Sequence, residues 1–341
     1  MKDLARRLLG SRWVKWAVVV IAIAVGVYEI AERWHGVQQG LSRIGLVTAL
    51  YALLALFGVQ FATLRTWQVL LAGLGSPLRT PVAGRILFIG QLGKYIPGSV
   101  WSVLAAMELG ARANVPRSRS ATASLITMML SVLTGLLLAA VTLPFASHGS
   151  GYLWVFAFVP AFLACLYPKL LNRLLNKVFT LAKRPPLERP VTGRVVMHAL
   201  AWSVVSWLFN GLQIWLLAEK FGAPVGKTIL LSLGGYAFAW CVGFVAVFAP
   251  AGAGVRDPLI IAALAPAIGY IPALAVMLVS RAVNTISDLL VAGIAVASRG
   301  RGRGAKVTRE DEATLGKAGS GMPAAETVTP VSSLSDTGPI G

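Results

Sequence analysis

Six stretches of this chain are each long and apolar enough to cross a lipid bilayer: residues 13–31, 44–64, 121–143, 152–168, 198–218 and 273–297. That pattern restricts the fold more than any motif does. A hydrocarbon core of about 30 Å takes about 20 apolar helical residues to cross. Inside it no water satisfies backbone N–H and C=O groups, so each span must be a helix that bonds internally. The expected class is all-α, a polytopic membrane helix bundle. Only 13% of the 341 residues are charged, where soluble domains carry about a quarter. Little chain is left for a soluble catalytic domain.

Lys and Arg number 31 against 13 Asp and Glu, a net charge of +18. Nucleic-acid binders cluster such an excess on a polar surface. Here the basic residues sit in gaps between apolar runs, as loops at an anionic membrane face do, so no nucleic-acid partner is expected. Residues 1–15 carry Lys2, Arg6, Arg7, Arg12 and Lys15, and residues 169–197 carry seven more, from Lys169 to Arg194. Arg299, Arg301, Arg303, Lys306 and Arg309 follow the last run, whereas loop 144–151 has no Lys or Arg. By the positive-inside rule both termini are expected in the cytoplasm, in a multi-pass protein of the cell (inner or plasma) membrane.

The chain then divides into a basic N-terminus over 1–12, a membrane domain over 13–298 and a cytoplasmic tail over 299–341. The tail is rich in Gly, Ala, Ser, Thr and Pro and is expected to be disordered. The first run has no small-residue cleavage pattern after it and is expected to stay as an uncleaved helix. Cys165 and Cys241 lie inside apolar runs, and His35, His148 and His198 are scattered. Neither a disulfide nor a metal site follows from them, and no cofactor is expected.

Two further segments, 82–109 and 228–268, are apolar but interrupted, the first at Pro97-Gly98 and the second from Pro250 to Pro258. Arg79 and Arg85 precede the first, and Arg112, Arg117 and Arg119 follow it. Basic residues on both sides predict a segment that dips in and returns to the same face. The second lies between charge-poor loops and by parity dips in from the other face. Residues 228–249 alone are long enough to cross, so a conventional eight-span count is the alternative to six spans plus two re-entrant segments. Each half reads in one order, repeat one over about 44–143 and repeat two over about 198–297. Pro97 and Pro250 stand 153 residues apart (250 − 97). Interrupted segments at matching places in opposed halves point to a transporter's binding site.

The interruptions carry chemistry. Proline stops the preceding helix and glycine permits a sharp turn. Broken backbone at membrane depth is tolerated only inside protein or beside water. A new half-helix is expected after each break, capped by Ser99 in the first and by Asp257 before Pro258 in the second. Such ends point a positive dipole inward, and an anionic head group suits them. Lys94 and Arg256 add full charges, and Gly252 and Gly254 free the second turn. In the last run, Arg281, Asn284 and Asp288 fall at i, i+3 and i+7 on one helix face. Arg281 and Asp288 are about 10 Å apart along the axis, so each needs a partner from elsewhere or a ligand. The expected substrate-binding set is Lys94, Pro97, Gly98, Ser99, Pro250, Gly252, Gly254, Arg256, Asp257, Arg281, Asn284 and Asp288. The competing reading is a structural ion pair from Arg281 to Asp257 or Asp288. Arg65 and Gln68 are expected to snorkel, and Asn210 and Gln213 to hydrogen-bond between helices.

An intramembrane enzyme needs a nucleophile or a general base. The nearby acids are Asp257, Asp288 and Glu108, and no histidine sits in a motif. No catalytic constellation emerges, and transport is the expected work.

Three stretches, QLGKYIPGSVWSVLAAMELGAR, FAPAGAGVRDPLIIAAL and LVSRAVNTISDLL, resemble the lysylphosphatidylglycerol synthase membrane-region family. The resemblance spans roughly residues 15–298. It implies a flippase-like lipid-handling domain whose partner is a membrane phospholipid or lipid-linked substrate. Relatives tied to envelope polysaccharide pathways make envelope-biosynthesis enzymes candidate partners. Trp101-Ser102 stands where many members carry Gly-Glu, and Arg256-Asp257 where Arg-Glu is usual. No aminoacyl-transfer domain is expected here, so the chain is not expected to make aminoacyl lipids. The expected function is moving an anionic or head-group-modified lipid, or a lipid-linked precursor, between leaflets. The alternatives are an intramembrane head-group transferase and a non-transporting scaffold for envelope synthesis.

Overall fold

A computed structural model describes residues 34–95, 101–146, 191–245 and 254–297, with isolated positions 160, 170, 173 and 177. The expected spans 13–31 and 152–168, the turn residues Pro97, Gly98, Ser99, Pro250 and Gly252, and the tail lie outside the described residues. Among the described residues the chain is helical, with no strand.

Four of the apolar runs lie inside longer helices. They are Trp34–Gly73 (α1), Arg117–Ala146 (α4), Gly193–Ala218 (α5) and Tyr270–Ala297 (α9). Each begins before its run, at Trp34, Arg117, Gly193 and Tyr270. α1 is kinked at Gly45 (φ 69, ψ 161), a conformation glycine reaches freely. Together with Val225–Phe244, these make five helices long and apolar enough to cross a membrane. The protein is an all-α membrane helix bundle.

The first interrupted segment is a helical hairpin. Its arms are Thr80–Gln91 (α2), extended by a 3₁₀ turn over Leu92–Tyr95, and Trp101–Ala111 (α3). At 1.5 Å per residue the two helices measure about 18 and 16 Å, well short of the ~30 Å hydrocarbon core. The arms run antiparallel. A Cβ on Gly93 would sit 2.7 Å from the Ser102 nitrogen, and one on Gly90 3.4 Å from the Ala106 nitrogen. The hairpin also closes at its base. Arg119, early in α4, donates to the Gly75 carbonyl at 3.0 Å and to Ser76 Oγ at 3.1 Å. The residues before α2 and after α3 are therefore side by side.

The second interrupted segment also doubles back, but its first arm includes Val225–Phe244, long enough to cross a membrane. Its first arm comprises Val225–Leu230 (α6), a π turn over Leu231–Gly235 and Tyr236–Val245 (α7), and its second is Arg256–Ile268 (α8). A Cβ on Gly243 would lie 2.9 Å from Arg256 Cβ, and one on Gly235 2.6 Å from Ala263 Cβ. Its base closes against the start of α1. A Cβ on Gly40 would meet Ala275 Cβ at 2.6 Å and Phe221 Cζ at 4.0 Å. The first hairpin opens beside Gly75 instead, beyond the far end of α1. The two hairpins thus open at opposite ends of that helix.

α1 and α5 run antiparallel. Gly58 faces Phe209, Thr63 Oγ1 meets Ser206 Oγ at 3.3 Å, and Gly73 faces Val195. Lipid tails are as apolar as leucine, so membrane helices associate through close packing and polar contacts. Gly135 serves this purpose, since a Cβ there would lie 2.6 Å from the Trp207 ring. The Trp207 indole donates to the Ser131 carbonyl at 3.1 Å and is edge-on to Trp240. The spacing of the two breakers carries through the bundle. Adding 153 to the bounds Arg117–Ala146 of α4 gives 270–299, against Tyr270–Ala297 for α9.

One expectation about polar residues needs correction, that of Asn210. α1 continues two turns past Arg65. The Arg65 guanidinium donates to Gln68 at 3.3 Å and lies 5.8 Å from the Trp202 ring. Asn210 bonds the Ser206 carbonyl of its own helix at 3.0 Å, as polar residues do where a backbone carbonyl is the nearest acceptor. Gln213 does bond between helices, accepting from Ser280 Oγ at 3.3 Å.

Candidate functional site

α9 carries the charges, and both hairpins bring partners to it. Asp288 is gripped from two sides: Lys94, in the 3₁₀ turn of the first hairpin, is 2.7 Å from Oδ2, and Gln60 of α1 donates to Oδ1 at 2.7 Å. About two turns away along α9, Arg281 is bonded to Asp257 on the second hairpin. Arg256 Nε lies 3.5 Å from the other Asp257 oxygen. Asn284, between the two pairs, donates to the Ser280 carbonyl at 2.8 Å. The buried Tyr236 lies among these groups, in the field of Arg256, Asp288 and Asp257.

The start of α8 differs from expectation. Val255 occupies the N-cap position and Asp257 lies inside the first turn, with no side-chain cap bond. Its carboxylate is bonded to Arg281 instead. Gly254, at φ 91, makes the turn that allows this start. Gly243 lets Arg256 approach the facing arm.

The cluster has a polarity of its own. Its three cations and two carboxylates leave a net charge of +1 (3 − 2). The side chains of Lys94 and Arg281 are 42% and 39% exposed, while Asp288 and Asp257 are 6% and 12% exposed. Lys94 and Arg281 form the accessible surface, while Arg256, at 15%, is enclosed with the carboxylates. An approaching anion meets positive charge first. Intramembrane charges are costly unless paired, and this arrangement shelters them while leaving Lys94 and Arg281 reachable.

The structure therefore brings together Lys94, Arg256, Asp257, Arg281, Asn284 and Asp288 from the expected set. The ion pair Arg281–Asp257, the competing reading of those residues, is also present. Gln60 and Tyr236 were missed. Gln60 could have been found by the signal that singled out Gln213, a polar amide deep in an apolar run. Tyr236 had no such signal, because the π turn before it sets where it points. Glu108 lies apart, at the base of the first hairpin. The bonded Arg117 guanidinium, 2.9 Å away, holds its carboxyl below the usual range, helped by Arg112 at 3.7 Å. Among the described residues no group of three or more His, Cys, Asp and Glu side chains is placed to hold a metal.

Among curated proteins nothing matches the chain. The family model described as the lysylphosphatidylglycerol synthase TM region matches residues 8–292, which include every member of the cluster. The chain belongs to the lysylphosphatidylglycerol synthase transmembrane-region family.

Proposed function

We propose that the protein is a flippase-like transporter that moves an anionic or head-group-modified lipid, or a lipid-linked precursor, between the leaflets of the cell membrane. One observation carries this reading: a cluster with two exposed cations, Lys94 and Arg281, in front of two buried carboxylates, built where two oppositely opening hairpins meet α9. A head-group phosphate docks against Lys94, Arg256 and Arg281 while its apolar tails stay in the bilayer. The half-helix start at Arg256 adds free backbone N–H groups.

The antiparallel course of α1 and α5 and the opposed hairpins support an inverted repeat, with six crossings and two re-entrant segments. Rocking one repeat against the other exposes the site to each leaflet in turn. Both termini lie on the cytoplasmic side in this reading, and envelope-biosynthesis enzymes are the protein partners. The transferase alternative needs an acid poised to take a proton. Asp257, Asp288 and Glu108 are each engaged by a cation instead.

The test is lipid translocation in reconstituted vesicles, comparing phosphatidylglycerol, phosphatidylcholine and a polyprenyl-linked phosphate. Faster exchange of an anionic lipid than in protein-free vesicles supports the reading. Exchange no faster than in protein-free vesicles for every lipid overturns it.

A further inference from the structure

The two ion pairs of the cluster differ in what they join. Arg281 and Asp257 both belong to repeat two, on α9 and α8, and Arg256 beside them does too. That pair holds one repeat together. Lys94 and Asp288 belong to different repeats, and Gln60, the second residue gripping Asp288, is again in repeat one. Any movement of one repeat against the other leaves the first pair intact and strains the second.

The second pair is also built unevenly. Asp288 is 6% exposed and held on both oxygens, whereas its cation is 42% exposed. A carboxylate paired with a reachable ammonium competes with an incoming anion for that ammonium. A lipid phosphodiester presents the same feature to Lys94, a delocalised single negative charge with two acceptor oxygens. We infer that Asp288 is an internal surrogate for the substrate phosphate, and that Lys94–Asp288 is a latch between the repeats which the substrate competes open. This rests on the lipid-transport reading for the identity of the competitor. The existence of the latch is separable from it.

The test uses the full chain in dodecyl maltoside micelles on a background lacking Cys165 and Cys241. Spin labels replace Leu104 on the first hairpin and Leu290 on α9, both exposed to the outside of the bundle. In substrate-free protein, Asp288→Asn and Lys94→Gln each break the latch and shift the distance between labels. Phosphatidylglycerol added to the unmutated chain produces the same shift, and glycerophosphate without tails tells whether the free anion suffices. Asp288→Asn, with the competitor gone, binds phosphatidylglycerol about tenfold more tightly, the effect expected when one charge-assisted contact is no longer contested.

An unmoved distance in both substrate-free variants overturns the latch, as does weaker phosphatidylglycerol binding by Asp288→Asn. If phosphatidylglycerol shifts nothing in the unmutated chain, the surrogate role fails, while the substrate-free variants still decide whether a latch exists and the translocation assay decides the transport reading. Should Asp288→Asn not fold, Lys94→Gln breaks the contact from its exposed side and carries the distance test alone.

Discussion

The two hairpins share a backbone plan and differ in chemistry. Both turn back on themselves through close glycine contacts, at Gly93 against Ser102 and at Gly243 against Arg256. Yet the charges do not follow the repeat. Subtracting 153 from Arg256, Asp257, Arg281 and Asp288 lands on Val103, Leu104, Met128 and Gly135, none of them ionisable. Gln60 does have a counterpart, Gln213, and each amide bonds α9: Gln60 holds Asp288, and Gln213 accepts from Ser280. Among the described residues the helical packing recurs at this spacing and the ionisable cluster does not. The first hairpin contributes one reachable cation, and the second contributes a fixed, internally paired wall.

The largest effect is expected where that wall is broken. Asp257→Ala leaves Arg256 and Arg281 without their shared counter-charge and should cost about 3 kcal/mol, the low end for a broken buried pair because Arg281 is 39% exposed. A melting temperature equal to the unmutated protein's would mean the wall is not structural. The glycine contacts sharpen the comparison next. Gly93→Ala and Gly243→Ala each press a Cβ into a neighbour at under 3.0 Å and should cost about 1–3 kcal/mol alike. Gly243→Ala should also impair transport more, because it displaces Arg256, and equal transport by the two would deny that difference. A smaller change is expected of Arg256→Lys, which keeps the charge but loses the planar fork and should retain partial transport.

The smallest effect belongs to Glu108, which is exposed at the base of the first hairpin. Its carboxyl is held low by Arg117, so its contribution is present above the ordinary carboxylate range and fades as pH falls through the lowered value. Glu108→Gln should remove that slight acid sensitivity from the melting temperature and leave transport unchanged. A large loss at neutral pH would show that the base of the hairpin matters more than its exposed pair implies.

Much of this was legible from residue order alone. Apolar runs and breakers mark the helices and hairpins because bilayer thickness and backbone bonding leave few options. Arg281, Asn284 and Asp288 announce one face through helical spacing. Which partner each takes is another matter. The carboxylate of Asp257 turned from capping to Arg281 because α9 packs against α8, a long-range outcome that local cap rules do not contain. Tyr236 enters the cluster through a π turn, whose register shift has no marker beyond the Gly234-Gly235 pair.

The central claim is that the cluster's cations bind a lipid anion and do more than hold the bundle together. It is tested most directly by the thermal stability and anionic-lipid translocation rate of purified Arg256→Gln and Arg281→Gln. The account predicts folded Arg256→Gln protein with translocation lowered about tenfold or more, the loss of one desolvated charge-assisted contact of about 1.5–3 kcal/mol. It predicts at least as large a loss for Arg281→Gln, with some destabilisation because Asp257 then keeps only Arg256, at 3.5 Å. Stable variants translocating at the unmutated rate would contradict it and leave Arg256 and Arg281 as structure alone.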